Sequence, residues 1–121
     1  MAGAGRLVNV PFDLARLSAL RAQAAPVLVD LTAAWCVTCK VNEMGALADP
    51  DVLKAFKTTK TTYMVGDWTN QDARISHYLG LYGRSGVPLY VYYGAHNAQP
   101  KVLPQLLQAG DVVKVLTEGA K

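Results

Sequence analysis

The run VLVDLTA, residues 27–33, consists almost entirely of apolar and branched side chains. A strand of this composition is typical of the middle of a parallel sheet, where helices cover both faces. The same apolar composition occurs in residues 61–68, TTYMVGDW, and in residues 87–93, VPLYVYY. Stretches with helical spacing separate the three runs, and a short partner strand, KVLP, follows the last one. The alternation predicts an α/β fold: a central mixed, mostly parallel sheet with a C-terminal antiparallel hairpin and helices on both faces.

Capping residues predict where several helices begin. Asp49 followed by Pro50 is typical of a helix N-terminus. Thr69 or Asn70 is expected to cap the helix that follows the second strand. Asp111 is expected to cap the last helix of the chain.

Length and composition are those of one folded domain. The chain has 121 residues, of which 51% are apolar and 17% charged, and this suffices for a hydrophobic core. We expect the domain to occupy residues 12–121 and to begin with a helix. Residues 1–11, which open with MAGAG, are expected to form a lead-in or linker. The domain is expected to be monomeric and could belong to a larger protein.

Charge and hydropathy exclude two function classes. The net charge of +3 is not gathered into a basic block, so we expect no nucleic-acid binding. No apolar run reaches the ~18 residues that suggest a membrane span, and the N-terminus lacks the apolar core of a signal peptide. We therefore expect no direct insertion of this segment into a membrane.

The chain has two cysteines, Cys36 and Cys39, in a CxxC spacing. A disulfide between them would close too small a loop to stabilise a fold by itself. A zinc site would need a second pair of ligands close together, and His77 and His96 stand far apart in the sequence. Haem attachment needs a histidine directly after the second cysteine, where Lys40 stands. Two buried, unreactive thiols stay open as an alternative.

The position of the cysteines between a strand and a helix favours redox chemistry. At the N-terminus of the helix, unpaired backbone N–H groups and the helix dipole favour a thiolate at Cys36. Cys39 is one turn deeper on the same face. It could therefore resolve a mixed disulfide while staying out of the partner's reach, with one sulfur exposed and the other in reserve.

Three charged residues accompany the cysteines. Asp30 interrupts the first apolar strand, and a carboxylate buried there should have a raised pKa, which suits exchange of the Cys39 proton; a solvated Asp at a strand edge is the alternative. Glu43, four residues after Cys39, is either a second carboxylate near the sulfurs or a solvated helix residue. Lys40 would add positive potential near Cys36, although a surface lysine needs no such role.

Taken together, VDLTAAWCVTCK, residues 29–40, and GVP, residues 86–88, resemble the thioredoxin superfamily. More narrowly, WCVTCKVNE, DWT and SGVPLYVYY are similar to the C-terminal periplasmic domain of DsbD-type thiol–disulfide interchange proteins, including ScsB-like ones. The similarity covers residues 12–118, which is almost the whole chain. It implies the thioredoxin fold.

The resemblance also implies roles for the polar site residues. Cys36 corresponds to the attacking cysteine and Cys39 to the resolving one. Asp30 and Glu43 correspond to two acidic residues that tune the cysteines in the family. Val37-Thr38 replaces the Gly-Pro of ordinary thioredoxins, which argues against a general cytosolic thioredoxin.

The same resemblance implies a partner-binding surface. Pro88 corresponds to the family's cis-proline, which faces the cysteines; an ordinary trans proline is the alternative. A cis bond would turn the backbone of Val87 outward, so that it offers N–H and C=O to an extended partner segment. Trp35 is expected to be partly exposed as a partner contact, and Trp68 either lines the site or packs in the core. Ala34 replaces an acidic residue of many relatives, so the local charge could differ.

These observations predict a thiol–disulfide oxidoreductase that works as a reductase. The resemblance implies that the domain takes electrons from a transmembrane domain and passes them to an N-terminal periplasmic domain, which reduces further periplasmic thiol proteins. It implies a location on the periplasmic side of the bacterial inner membrane. We expect no metal and no cofactor beyond the cysteine pair. A free-standing disulfide oxidase or isomerase, or a redox-inert binding module with this fold, stays open.

Overall fold

Five strands form one mixed sheet in the computed structural model, which describes residues 7–96 and 98–121. The strands are β1 Asn9–Pro11, β2 Val27–Thr32, β3 Thr62–Asp67, β4 Leu89–Tyr93 and β5 Lys101–Val102. Their order across the sheet is β1-β3-β2-β4-β5. β3 is parallel to β1 and β2, whereas β4 is antiparallel to β2 and β5. The predicted α/β fold, mixed sheet and C-terminal hairpin are confirmed.

Helices cover both faces of the sheet. They are α1 Leu14–Ala22, α2 Val37–Met44, α3 Pro50–Thr59, α4 Ala73–Leu81 and α5 Ala109–Gly119, with a 3-10 turn at Ala46–Ala48. Side chains of α3 and α5 form one core layer with the sheet, here called the α3/α5 face. Side chains of α1 and α4 form the other, the α1/α4 face. In the part of the chain that is described, no helix combines the length and hydropathy of a membrane span.

β2 is the central strand, as predicted, because it pairs with β3 on one side and β4 on the other. Leu28 packs in the core of the α3/α5 face. Val27, Val29 and Leu31 pack in the core of the α1/α4 face. Since side chains alternate along a strand, Asp30 points to the same side as Leu28. A carboxylate is thereby placed in the middle of the α3/α5 face.

The predicted start of α3 is confirmed. The Asp49 carboxylate accepts the backbone N–H groups of Asp51 and Val52, and Pro50 is the first helical residue. Proline fits this position because the first N–H of a helix has no partner within the helix.

The starts of α4 and α5 differ from prediction. Asp72, rather than Thr69 or Asn70, caps α4 through its carboxylate, because the Thr69 hydroxyl is already bonded to Asp67. α5 begins after Gln108, and no side chain caps it. Asp111 lies inside the first turn of α5 instead, where its negative charge interacts favourably with the helix dipole.

β1 corrects the predicted element order, which began with a helix. Residues 9–11 pair in parallel with residues 63–65 of β3. Only Val10 of β1 packs against the core, on the α1/α4 face, so the strand is too short for a periodic pattern to reveal it. The predicted MAGAG lead-in lies within residues 1–6, outside the described residues. The domain bounds stay a prediction, although residues 9–11 of the predicted lead-in take part in the sheet.

Candidate active site

Cys36 and Cys39 form a disulfide at the junction of β2 and α2, with their Cα atoms 5.2 Å apart. Cys36 is the N-cap of α2, and the backbone N–H of Cys39 donates to its Sγ at 3.1 Å. Cys39 is completely buried, whereas Cys36 is 6% exposed. Cys36 is therefore more accessible than Cys39, as expected. It is nevertheless more enclosed than predicted, because it packs against Ala33 and Val87.

Asp30 is buried, with 1% of its surface exposed. The Tyr63 hydroxyl donates to its Oδ2, and its Oδ1 has no hydrogen-bond partner among the described residues. The pKa of Asp30 is raised to about 7: burial has the largest effect and raises it, the Tyr63 hydrogen bond lowers it, the Glu43 charge raises it and the Lys40 charge lowers it. The alternative of a solvated strand-edge carboxylate is wrong.

Glu43 ties α2 to the end of β2. The Thr32 hydroxyl donates to Glu43 Oε2 at 3.0 Å, and Lys40 Nζ lies 3.3 Å from Oε1. The two ion-pair side chains are 49% and 34% exposed, so Glu43 is neither fully solvated nor buried. Thr32 and Asp30 point to the same side of β2, and Cys39 and Glu43 share one face of α2. Since Thr32 bonds to Glu43, the side of β2 that carries Asp30 faces the side of α2 that carries Cys39.

The segment before β4 closes the site from another direction. The Val87–Pro88 peptide bond is cis. Val87 packs against the cluster of Ala33, Cys36 and Cys39. Arg84 donates to the Pro88 carbonyl at 3.3 Å. Val87, which the resemblance assigned to partner binding, therefore borders the disulfide directly.

Trp35 projects beside the disulfide and is 53% exposed. Its indole N–H donates to the Thr69 carbonyl at 3.0 Å, and its ring centroid lies 6.0 Å from that of Trp68. Trp68 is itself buried in the α1/α4 core, and its indole N–H donates to Ser76 Oγ at 2.8 Å. The core alternative for Trp68 is therefore correct, and this core residue supports the exposed tryptophan.

Thr69 is a site residue that was predicted only as a possible helix cap, although DWT was part of the resemblance. Its hydroxyl accepts the Ala34 N–H at 2.8 Å and donates to Asp67 Oδ1 at 2.5 Å. The Thr69 backbone N–H also donates to Asp67 Oδ1, and the two hydrogen bonds from Thr69 lower the pKa of Asp67. The segment after β3 thus holds the segment that precedes the first cysteine.

Asn42 and Tyr63 were also missed. Asn42 is buried in α2 and donates to the Tyr90 hydroxyl at 2.8 Å and to the Gln105 carbonyl at 2.7 Å. Its Oδ1 accepts the Leu107 N–H at 3.0 Å. Nothing in KVNEM distinguishes this Asn from a solvated helix residue. Tyr63 could be related to Asp30 only once the register of β2 with β3 was known.

An apolar stripe runs from the disulfide along the outer side of α2. Val37, Val41 and Met44 stand at helical spacing and are 76%, 47% and 77% exposed. Together with Trp35 they form an apolar rim beside the cysteines. An exposed apolar patch of this kind is typical of an interaction surface.

Comparisons with known proteins agree with the fold and with the geometry of the cysteine pair. The sequence model of the thioredoxin-like family matches residues 13–95. Thiol:disulfide interchange protein DsbD 2 of Pseudomonas aeruginosa is 34% identical over 93 residues, which are 76% of this chain and 16% of that protein. DsbD of Escherichia coli K12 is 31% identical over 86 residues, 69% of this chain and 15% of that protein. The chain thus spans a small part of the length of these relatives.

Solved structures show the same fold. The C-terminal domain of Neisseria meningitidis DsbD in the reduced form has a TM-score of 0.70 at 22% identity, covering 91% of this chain and 99% of that domain. A point mutant of a thioredoxin from Halobacterium salinarum has a TM-score of 0.66 at 20% identity, covering 100% of this chain and 96% of that one. Since the family model also matches more than half of the sequence, the chain belongs to the thioredoxin-like family.

Proposed function

We propose that this domain is a thiol–disulfide oxidoreductase that reduces partner proteins through Cys36 and Cys39. One observation carries the proposal. The disulfide lies at the N-terminus of α2, with the first sulfur at the more accessible position and the second fully buried. That arrangement separates an attacking thiol from a resolving thiol, as disulfide exchange requires.

In the first step, the Cys36 thiolate attacks one sulfur of a partner disulfide. The partner S–S bond breaks, a mixed disulfide forms, and the departing partner sulfur takes up a proton. The N–H of Cys39, 3.1 Å from Cys36 Sγ, and the other free N–H groups at the start of α2 stabilise the thiolate before attack. Lys40 and Glu43 are paired with each other, so their charges largely offset one another at the sulfur.

In the second step, the Cys39 thiol loses its proton to Asp30 and attacks Cys36 Sγ. The Cys36–partner bond breaks and the Cys36–Cys39 bond forms. The partner sulfur leaves as a thiolate and takes up a proton, so that the partner is released as a dithiol. Two electrons have then passed from the domain to the partner. A carboxyl group whose pKa is about 7 exchanges protons readily near neutral pH, which suits this task.

The partner segment binds beside the sulfurs in this proposal. The main chain of Val87 offers hydrogen-bonding groups to an extended segment, and Val87 itself packs against the cysteine cluster. Trp35 and the apolar rim on α2 provide contact area next to it. An aromatic anchor with apolar neighbours is a common basis of partner binding.

The two DsbD relatives support a finer proposal. We propose that the domain belongs to a longer protein and receives its electrons from a membrane-embedded dithiol. It would pass them to thiol–disulfide proteins on the periplasmic side of the bacterial inner membrane. The domain works as a monomer, and the electrons travel in the cysteine pair without a further cofactor.

A Cys39→Ala variant tests the function, because it can attack a partner but cannot release it. In a periplasmic extract, the reduced variant is expected to accumulate mixed disulfides through Cys36, identified by mass spectrometry after thiol blocking. The Cys36→Ala, Cys39→Ala double variant is the matched control and should trap nothing. A catch made only of cytosolic proteins in a whole-cell version would contradict the periplasmic assignment.

The reduction potential separates the proposal from its runner-up. A value near ~−270 mV, as in thioredoxin, supports a reductant, whereas a value near ~−120 mV supports an oxidase. It is measured by equilibrating the domain with glutathione or dithiothreitol buffers and quantifying the oxidised fraction. Disulfide reduction that survives Cys36→Ser would instead favour a redox-inert module with a contaminating activity.

A further inference from the structure

Asp30 is surrounded by titratable groups from three elements. β3 contributes Tyr63, β4 contributes Tyr90, and α2, which also carries Cys39, contributes Lys40 and Glu43. The side chains of α3 and α5 in this core layer are apolar. Within the described chain, the only hydrogen bond to the carboxylate comes from the Tyr63 hydroxyl.

The Tyr63 hydroxyl is held in place from two directions. Tyr63 pairs with Leu28 of β2 in the parallel register, so its side chain lies on the same side of the sheet as Asp30, one strand away. Its ring packs edge-on against Phe56 of α3, with centroids 5.6 Å apart. Tyr63 is 8% exposed, so bulk water does not replace the bond.

The hydroxyl groups of the other two tyrosines on the α3/α5 face, Tyr90 and Tyr92, have different surroundings. Tyr90 is directly opposite Asp30 in the antiparallel register, yet its hydroxyl accepts a hydrogen bond from Asn42 of α2. The Tyr92 hydroxyl is buried without a partner among the described residues. The contact with the carboxylate is thus specific to Tyr63 and is not a general property of tyrosines on this face.

We propose that Tyr63 is a positioning residue for the resolving step: its hydroxyl holds Asp30 Oδ2 and leaves Oδ1 as the oxygen that takes the Cys39 proton. This inference rests on the proposed function. When the Cys39 S–H bond breaks, an O–H bond forms at Oδ1. The sulfur then uses its electron pair to bond to Cys36 Sγ, and the bond from Cys36 to the partner breaks.

The hydrogen bond also has an electrostatic consequence. A donor to a carboxylate favours the charged form, so Tyr63 holds the pKa of Asp30 below the value that burial alone would produce. Loss of the hydroxyl should keep Asp30 protonated to higher pH. A protonated Asp30 cannot accept the Cys39 proton, and resolution should therefore require a higher pH.

The test uses Tyr63→Phe in the reduced domain of 121 residues, with 5,5′-dithiobis(2-nitrobenzoic acid) as the probe. Attack by Cys36 releases a first chromophore, and resolution by Cys39 releases a second, so stopped-flow absorbance follows the two steps separately. The first release should be unchanged. The second should slow about fivefold at pH 7 and recover above pH ~9, since a rise of about one pKa unit lowers the carboxylate fraction from a half to about a tenth.

Tyr92→Phe is the matched control, because it removes another buried hydroxyl from the same face without touching Asp30. Its pH profile should coincide with that of the wild type. The positioning role is overturned if the pH midpoint of the second release is unshifted in Tyr63→Phe, or if it shifts equally in Tyr92→Phe. A wild-type protein that releases no second chromophore contradicts the proposed function itself, which is a different result.

A second measurement reads Asp30 without any turnover. The Asp30 carboxyl group of the oxidised protein is titrated by carbon-13 NMR. The midpoint should lie at higher pH in Tyr63→Phe than in the wild type and should be unchanged in Tyr92→Phe. If Tyr63→Phe does not fold, a fluorinated tyrosine at position 63 alone is used instead. Its more acidic hydroxyl donates more strongly, and the midpoint should then move to lower pH; no movement overturns the proposal.

Discussion

Both faces of the sheet bury tyrosine hydroxyl groups, but they do so with different results. On the α1/α4 face, the Tyr93 hydroxyl lies 2.5 Å from that of Tyr78 and 2.8 Å from that of Tyr82. The Arg21 guanidinium lies 4.7 Å from the centre of the Tyr93 ring. Burial raises the pKa values of Tyr78 and Tyr93, so both groups stay neutral and bonded at any ordinary pH.

On the α3/α5 face, the tyrosine hydroxyl of β3 is bonded to a carboxylate instead. Asp30 is ionisable near neutral pH and keeps one oxygen without a partner in the described chain. A buried ionisable group with an unused acceptor destabilises the fold, whereas a satisfied neutral cluster does not. The contrast indicates where to look for chemistry: the buried carboxylate that lowers stability lies on the face that α2 contacts through Asn42, and α2 begins at the cysteines.

The largest effect is expected from removing the nucleophile. Cys36→Ser should lower disulfide reduction by at least ~10³-fold, because no sulfur remains to form the mixed disulfide. Tyr93→Phe, on the opposite face, should leave the rate within about twofold of the wild type. Reduction of a disulfide-containing protein by dithiothreitol measures both variants. Equal losses in the two would remove the distinction between the faces.

The pH dependence of stability is the next largest effect. The pKa of Asp30 is about 7 in the folded protein, against an ordinary value of 3.8, so the folded chain binds the extra proton between these values. The contribution of Asp30 to stability should therefore be greatest below pH ~4, fall as pH rises from ~4 to ~7, and decrease by up to ~4 kcal/mol in this window.

Urea unfolding of the oxidised protein at a series of pH values measures this slope. Asp30→Asn should flatten it and make the protein more stable than the wild type above pH ~7, because the variant buries no charge. Tyr93→Phe should keep the wild-type slope. A wild-type stability that rises between pH ~4 and ~7 would contradict the raised pKa.

Asp30→Asn should also slow the resolving step by about 10²-fold at pH 8, the scale of general acid–base catalysis by one positioned group. The attack step, read from the first chromophore, should change little. Glu43→Gln is the control on the neighbouring carboxylate, which is more exposed and bonded to Thr32 and Lys40. An unchanged second release in Asp30→Asn would mean that another group takes the proton.

The smallest effect is expected on the neutral face. Tyr93→Phe should destabilise the protein by about 1–2 kcal/mol, because it leaves the buried Tyr78 hydroxyl without the partner that the structure gives it. The loss should be the same at pH 4 and pH 8.5, since burial raises the pKa values of Tyr78 and Tyr93 and keeps both groups neutral in this range. Thermal or urea unfolding at both pH values checks this, and a loss confined to one of them would contradict a purely structural role.

The sequence predicted the parts of this molecule that depend on local pattern. The apolar run of residues 27–33 predicted the central strand, and Asp49 with Pro50 predicted the start of α3. Prediction from the sequence failed where a long-range contact determines the local structure. Thr69 does not cap α4 because its hydroxyl binds Asp67 and the backbone of Ala34.

In the candidate site, too, the features set by local pattern were predicted and those set by long-range contacts were not. Spacing alone predicted the order of the two cysteines, and an acidic residue within an apolar strand indicated Asp30. The donor to Asp30 could not be predicted, because parallel register across β2 and β3 decides which side chains meet. Asn42 was missed for a related reason: its partners Gln105 and Leu107 lie more than 60 residues away in the chain.

The central claim is that the two thiols of the reduced domain are chemically unequal. The most direct measurement is the rate of alkylation of each thiol by iodoacetamide between pH 5 and pH 9, resolved by mass spectrometry of the cysteine-containing peptide. We predict that Cys36 reacts at least ~10-fold faster than Cys39 at pH 7, because the helix N-terminus favours its thiolate while burial protects the second sulfur. Equal, slow labelling of both thiols, as in an unstructured peptide, would contradict the account.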